Sequence, residues 1–151
     1  MAATEHWFYH LGRGTPHSAL PPLLEKVMER GWRALVCSPD SGALEALDQV
    51  LWTYRPDSFL PHGLSNAPRA ADQPVLLSDR ADNENSARIV ILLNGAEIPA
   101  LDGVERCITL FDDADTDALH SARERWKSLR DTGAPCSYWR QDDQGRWSLR
   151  E

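Results

Sequence analysis

The chain has 151 residues, 42% of them hydrophobic and 26% charged, which fits one folded domain, residues 1–151, with its own core and excludes the disordered class. Sixteen Lys and Arg stand against 23 Asp and Glu, a net charge of −7; strong contact between a polyanion and the whole surface is excluded unless the cations gather on one face. No run approaches the roughly 18–20 apolar residues of a membrane span, and residues 1–6 lack a basic region followed by an apolar one, so a cytoplasmic location without membrane contact is expected.

Residues 7–11 (WFYHL) read as a buried first strand that ends at the loop Gly12-Arg13-Gly14. Ser18 is placed to cap a helix carrying Pro21 and Pro22 in its first turn and Leu23, Leu24, Val27 and Met28 beyond, closed by Gly31. Residues 34–37 (ALVC) form a second strand, and Ala43, Leu44, Leu47, Val50 and Leu51 recur at helical spacing with Trp52 at the end. Pro61 confines residues 58–63 to a sheet edge or a loop.

Three further strands are predicted at 75–77, 88–93 and 107–111, the middle one apolar enough to be covered on both faces. Asp115 or Thr116 caps a last helix reaching about Arg130, with Gly133 beyond, and residues 138–149 close the chain as a hairpin around Asp142-Asp143-Gln144-Gly145. Alternating strands and helices predict a three-layer α/β/α architecture with a mainly parallel sheet, Rossmann-like topology and a C-terminal β-hairpin.

Such a sheet invites a nucleotide, and the alternative reading is a nucleotide-binding α/β enzyme. Gly12 and Gly14 offer two glycines after the first strand, but the third glycine of a dinucleotide fingerprint is missing and no G-x-x-x-x-G-K-[ST] occurs. Asp112 and Asp113 after a strand resemble a magnesium-binding pair, a role that needs the missing phosphate loop; capping or solvated carboxylates are the plainer reading. The five histidines, at 6, 10, 17, 62 and 120, never fall at i,i+4 on a helix. The cysteines at 37, 107 and 136 form no C-x-x-C pair, and no G-x-S-x-G elbow is present. Neither catalytic residues, metal nor cofactor are expected.

The last helix has more to say. At about 100° per residue, Ala118, Leu119, Ala122, Trp126 and Leu129 share one arc, while Arg123, Lys127 and Arg130 share the adjoining one. Two readings stand side by side. One is an amphipathic helix whose cations snorkel at the boundary; the other is a receptor for a short acidic peptide ending in an apolar residue, with cations gripping carboxylates and Trp126 walling a pocket.

Segments 8–11 (FYHL), 51–64 (LWTYRPDSFLPHGL), 89–94 (IVILLN) and 122–127 (ARERWK) together resemble the chi subunit family of bacterial DNA polymerase III, in family order and over nearly the full length. The resemblance implies a nucleotide-binding-like fold without a nucleotide site and a non-catalytic replication adaptor at the edge of the clamp loader. It implies as partners the acidic, Phe-terminated C-terminal tail of single-stranded-DNA-binding protein and a psi subunit or another clamp-loader subunit, with DNA met only indirectly. By position, Arg123, Trp126, Lys127, Arg130 and Tyr138 would form the tail site, and Trp52 and Phe59 the partner-subunit face. Leu119 stands where the family pattern has a lysine one turn before Arg123.

Overall fold

The computed structural model describes residues 4–53, 61–80, 82–97 and 103–150. In chain order the elements are β1 (Glu5–Leu11), α1 (Pro16–Glu29), β2 (Ala34–Cys37), α2 (Ser41–Thr53), β3 (His62–Leu64), a 3-10 turn (Ala70–Asp72), β4 (Val75–Ser78), β5 (Ile89–Leu92), β6 (Arg106–Asp112), α3 (Thr116–Asp131), β7 (Cys136–Gln141) and β8 (Trp147–Arg150). The strands form one sheet in the order β3-β4-β2-β5-β6-β1-β7-β8. Among the described residues every pairing is parallel except the closing β7–β8 hairpin.

Alternation along β1 assigns its side chains to two layers. Trp7, Tyr9 and Leu11 join the core shared with α1 and α2, around Leu20, Leu24, Leu44 and Leu47. Phe8 joins the opposite core with Phe111, Tyr138 and the α3 residues Ala118 and Ala122. Further along this second face, Leu35, Leu76, Val90 and Cys107 are covered by Ala70, Ala87 and Val104 from connecting segments.

Connections leave β1 and β6 in opposite directions. The β1–α1–β2 crossover passes over one face of the sheet, and the β6–α3–β7 crossover passes back over the other; right-handedness of both demands opposite faces.

Local chemistry explains most boundaries. The structure moves the start of α1 to Pro16: Thr15 is the N-cap and Ser18 is its partner three residues on, each side chain bonded to the other's backbone N–H in a capping box. Pro21 and Pro22 consequently lie inside the helix, one turn beyond the expected place. Asp115 caps α3 through a 3.0 Å bond from the Ala118 amide, and Gly133 adopts φ +76 just past its end. No described helix is long and apolar enough to cross a membrane.

Gly12 is required by close approach, because a Cβ there would collide with the backbone carbonyl of Gln141. Replacing Gly12 by alanine is expected to lower stability by about 1–3 kcal/mol through overpacking. Leu35→Ala, at a fully buried position in the middle of the sheet, is expected to cost about 2–5 kcal/mol. Urea unfolding followed by circular dichroism measures both.

Candidate functional site

Helix α3 lies on the sheet through small residues, Ala118 and Ala122, with Leu119, Trp126 and Leu129 packed around them. Its rotation is set by Arg125, whose Nη1 donates to Thr109 Oγ1 at 3.2 Å and whose Nη2 donates to Cys107 Sγ at 3.3 Å, both on β6. With Arg125 turned to the sheet, Arg123, Lys127 and Arg130 are exposed. Trp126 is half-buried, edge-on to Phe8 at 5.8 Å and to Tyr138 at 5.6 Å, while Phe8 stacks on Tyr138 at 6.2 Å.

At the carboxyl ends of β1, β6 and β7, this ring cluster gives way to polar chemistry. His10, only 1% exposed, places Nε2 at 2.6 Å from Asp113 Oδ1 and Nδ1 at 2.8 Å from the Tyr138 hydroxyl. Arg140 Nη1 lies 2.9 Å from the same Nδ1. A guanidinium only donates, so Nδ1 must accept and the ring carries its proton on Nε2, which donates to Asp113. Burial holds the His10 pKa below its usual value, opposed by the bond to Asp113 and reinforced by Arg140 and Arg123. Asp113 titrates below the usual carboxylate range, chiefly because it accepts that bond and also because Arg140 and Arg123 face it. Burial raises the Tyr138 pKa, and Arg123 and Arg140 pull against the rise.

Arg123, Trp126 and Tyr138 are thus gathered into one patch, joined by Arg140, His10 and Asp113, which the sequence analysis did not single out as site residues. A histidine inside an otherwise apolar strand was the signal for them: a polar ring there must find partners across the sheet. Lys127 is one turn from Arg123 on the exposed side. Arg130 lies two turns along, roughly 10 Å, where its charge acts on Cys136 at the start of β7. Trp52 ends α2 with half its surface exposed and its ring 4.5 Å from that of His62, which pairs with Asp48 at 3.0 Å. Phe59 lies outside the described residues.

The crevice where the two crossovers diverge is the place where open α/β sheets bind ligands. Here a hollow of about 370 Å³ is lined by Thr15, Phe111, Asp112 and Asp115, among others. Two carboxylates repel phosphate, and the α1 terminus is already capped. The glycine loop is used up as well: the amides of Gly12 and Arg13 both donate to Gln141 Oε1, at 3.2 and 3.0 Å. Among the described residues no group of three or more His, Cys, Asp or Glu could hold a metal. Burial pushes the Cys37 thiol up to about 12, far from a nucleophile's range.

Because the fold lowers the His10 pKa, the folded state binds fewer protons than the unfolded chain as pH falls through the ordinary histidine pKa of 6.5. Stability is therefore intact above pH 6.5 and falls as pH drops below it, and Asp113 adds a further loss near its own lower range. His10→Gln removes the first loss. Thermal melts from pH 7.5 to 5 should show a shallower acid slope in the variant, the difference bounded by the one-proton limit of about 1.4 kcal/mol per pH unit.

The family profile described as "DNA polymerase III chi subunit, HolC" matches residues 3–137. A protein of Rickettsia prowazekii (strain Madrid E), described as probable DNA polymerase III subunit chi, is 28% identical over 103 residues, covering 68% of this chain and 62% of its own length. The chain therefore spans less than two thirds of that relative. DNA polymerase III subunit chi of Haemophilus influenzae (strain ATCC 51907 / DSM 11121 / KW20 / Rd) is 30% identical over 109 residues, 72% of this chain and 75% of its own. The profile runs from the first strand through α3 into β7, and on that match the chain belongs to the DNA polymerase III chi subunit family.

Proposed function

We propose that this protein is a non-catalytic replication adaptor that holds the acidic C-terminal tail of single-stranded-DNA-binding protein on α3 and links it to the clamp loader. The observation that carries the reading is the convergence of Arg123, from the middle of α3, and Arg140, from the end of β7, both acting on Asp113 and Tyr138. A carboxylate from the chain already sits among these cations, 62% exposed and 4.0 Å from Arg140 Nη2. The position favours an anion. An incoming terminal carboxylate would compete with Asp113 for the arginines, its phenylalanine resting on the Trp126 and Tyr138 edges while Lys127 and Arg130 meet aspartates further back along the tail.

The missing lysine one turn before Arg123 fits this arrangement, since Arg140 on β7 supplies a second cation from another element. Trp52 is the matching anchor on the opposite side of the molecule: a large ring half-exposed at a helix end, backed by His62, is the kind of residue that dominates protein interfaces. With Phe59 it would face a psi subunit or another clamp-loader subunit. Through the tail site DNA would be reached by way of the coated strand, and several tails on one strand would strengthen the attachment by avidity.

Calorimetric titration of an acidic, Phe-terminated peptide tests the tail site. Micromolar binding is expected for the wild type. Arg123→Ala or removal of the final phenylalanine should weaken it about tenfold or more, and rising salt should weaken it further. Asp113→Asn keeps an acceptor for His10 but frees the arginines, so it should tighten binding roughly two- to fivefold. Equal affinity across all of these would remove the tail assignment. Trp52→Ala should leave peptide binding unchanged and weaken capture of a clamp-loader subunit in a pull-down.

A further inference from the structure

The topology leaves one end of a sheet face, at the β7–β8 hairpin, without a helix over it. Helix α1 departs from β1 toward β2 and so covers β6 and β5; the crossover in the other direction, α3, uses the opposite face, and β8 arrives through a hairpin. On the α1 side of β1, β7 and β8 the pleat therefore presents Trp7 and Tyr9, which α1 covers only in part, and beyond them Trp139, Trp147 and Leu149 on the hairpin. Trp147 and Leu149 are 43% and 52% exposed. Tyr9 lies 5.3 Å from Trp147 and 6.2 Å from Trp7, centroid to centroid, so the rings form a continuous floor.

The charge along this floor is opposite to that of the protein. A groove of about 550 Å³ between α1 and the hairpin is lined by Arg13 and Lys26, and it continues past Trp7 into a hollow of about 260 Å³ lined by Lys26, Arg30 and Arg106. Among the described residues lining the two there is no carboxylate, in a chain that carries 23. Arg106 rests over the Trp7 ring at 3.8 Å, with Glu5 at its outer edge, 3.7 Å from Nη2. Neither Arg13 nor Lys26 makes an ion pair among the described residues.

We propose that this aromatic, cation-lined face is a track for single-stranded nucleic acid. The spread of the cations decides between that occupant and an acidic peptide end. A chain-terminal carboxylate needs cations converging on one point, as Arg123 and Arg140 do on the other face. Here they are strung along the length of β1, from Arg106 beside Glu5 to Arg13 beyond Leu11, roughly 20–25 Å at strand rise. A flexible polyanion has charges spaced along its length and flat bases that stack on exposed rings without regard to sequence. The net charge of −7 forbids such contact over the whole surface, but the fold gathers these cations locally. Arg13, Lys26, Trp139 and Trp147 line this groove and none of them belongs to the tail site, so this face does not depend on the tail-binding reading.

Anisotropy of a fluorescein-labelled oligothymidylate of about 15 nucleotides, titrated with the full chain, tests the proposal. Saturable binding should weaken roughly 20- to 50-fold between 50 and 200 mM salt if three or four phosphates are contacted. The Arg13→Glu, Lys26→Glu pair should abolish it. Trp147→Ala should weaken it at least fivefold, with Trp147→Phe retaining most of it and confirming that the hairpin still folds. Arg123→Ala should leave it unchanged. Absence of binding at 50 mM salt, or binding indifferent to the Arg13, Lys26 and Trp147 changes, overturns the proposal. It is also overturned if those changes abolish binding of the acidic Phe-terminated peptide and leave the oligonucleotide unaffected. Loss of peptide binding on Arg123→Ala alone speaks only to the tail site.

Discussion

Strand β1 is hydrogen-bonded in parallel on both edges, to β6 along all seven of its residues and to β7 along five. Both the α3 patch and the aromatic face follow from that double pairing. With β6 and β7 as its neighbours, β1 lies beneath the single crossover that runs toward the C-terminal hairpin, so α3 settles over Phe8 and Tyr138. The same pairing carries His10 level with Phe111 and Arg140, which is why a strand histidine meets a guanidinium and an acid from two separate parts of the chain.

The two faces of β1 then acquire opposite characters from one short sequence. Phe8 and His10 look toward α3, where a buried ring cluster supports two arginines whose local anion is Asp113. Trp7 and Tyr9 look toward the side that α1 covers only in part, where indole and phenol surfaces remain open. Burial makes the first face sensitive to acid, because a desolvated imidazole pressed by two guanidinium groups resists a second proton. Among the described residues the second face of β1 has no buried histidine–carboxylate pair of this kind. Its affinity for anions would be governed by salt instead.

The architecture that commonly binds nucleotides is present without the chemistry to do so. The diverging crossovers open a crevice, yet the loop amides that would cradle phosphate are bonded to the Gln141 side chain, and Asp112 and Asp115 line the hollow. Gly12 is needed all the same, because the Gln141 carbonyl leaves no space for a Cβ. A glycine that looks like a phosphate-loop residue is here a packing residue where β1 ends against β7.

Local pattern was enough for the elements themselves: three helices and the strands were legible from periodicity, glycine stops and capping residues, since these depend on contacts within a few positions. Ser18 was misplaced by three residues because a capping box puts Ser or Thr at both of its ends, and only geometry tells cap from partner. The arginines of α3 were legible as a stripe, because helical spacing is local. What the tertiary structure alone decided was which residues from distant strands join them: Arg140, Asp113 and His10 lie more than a hundred positions apart in part, and a period-2 strand pattern does not tell which neighbour it will pair with. The open aromatic face was likewise invisible in the sequence, because whether a helix passes over Trp139 and Trp147 depends on strand order, which no local pattern gives.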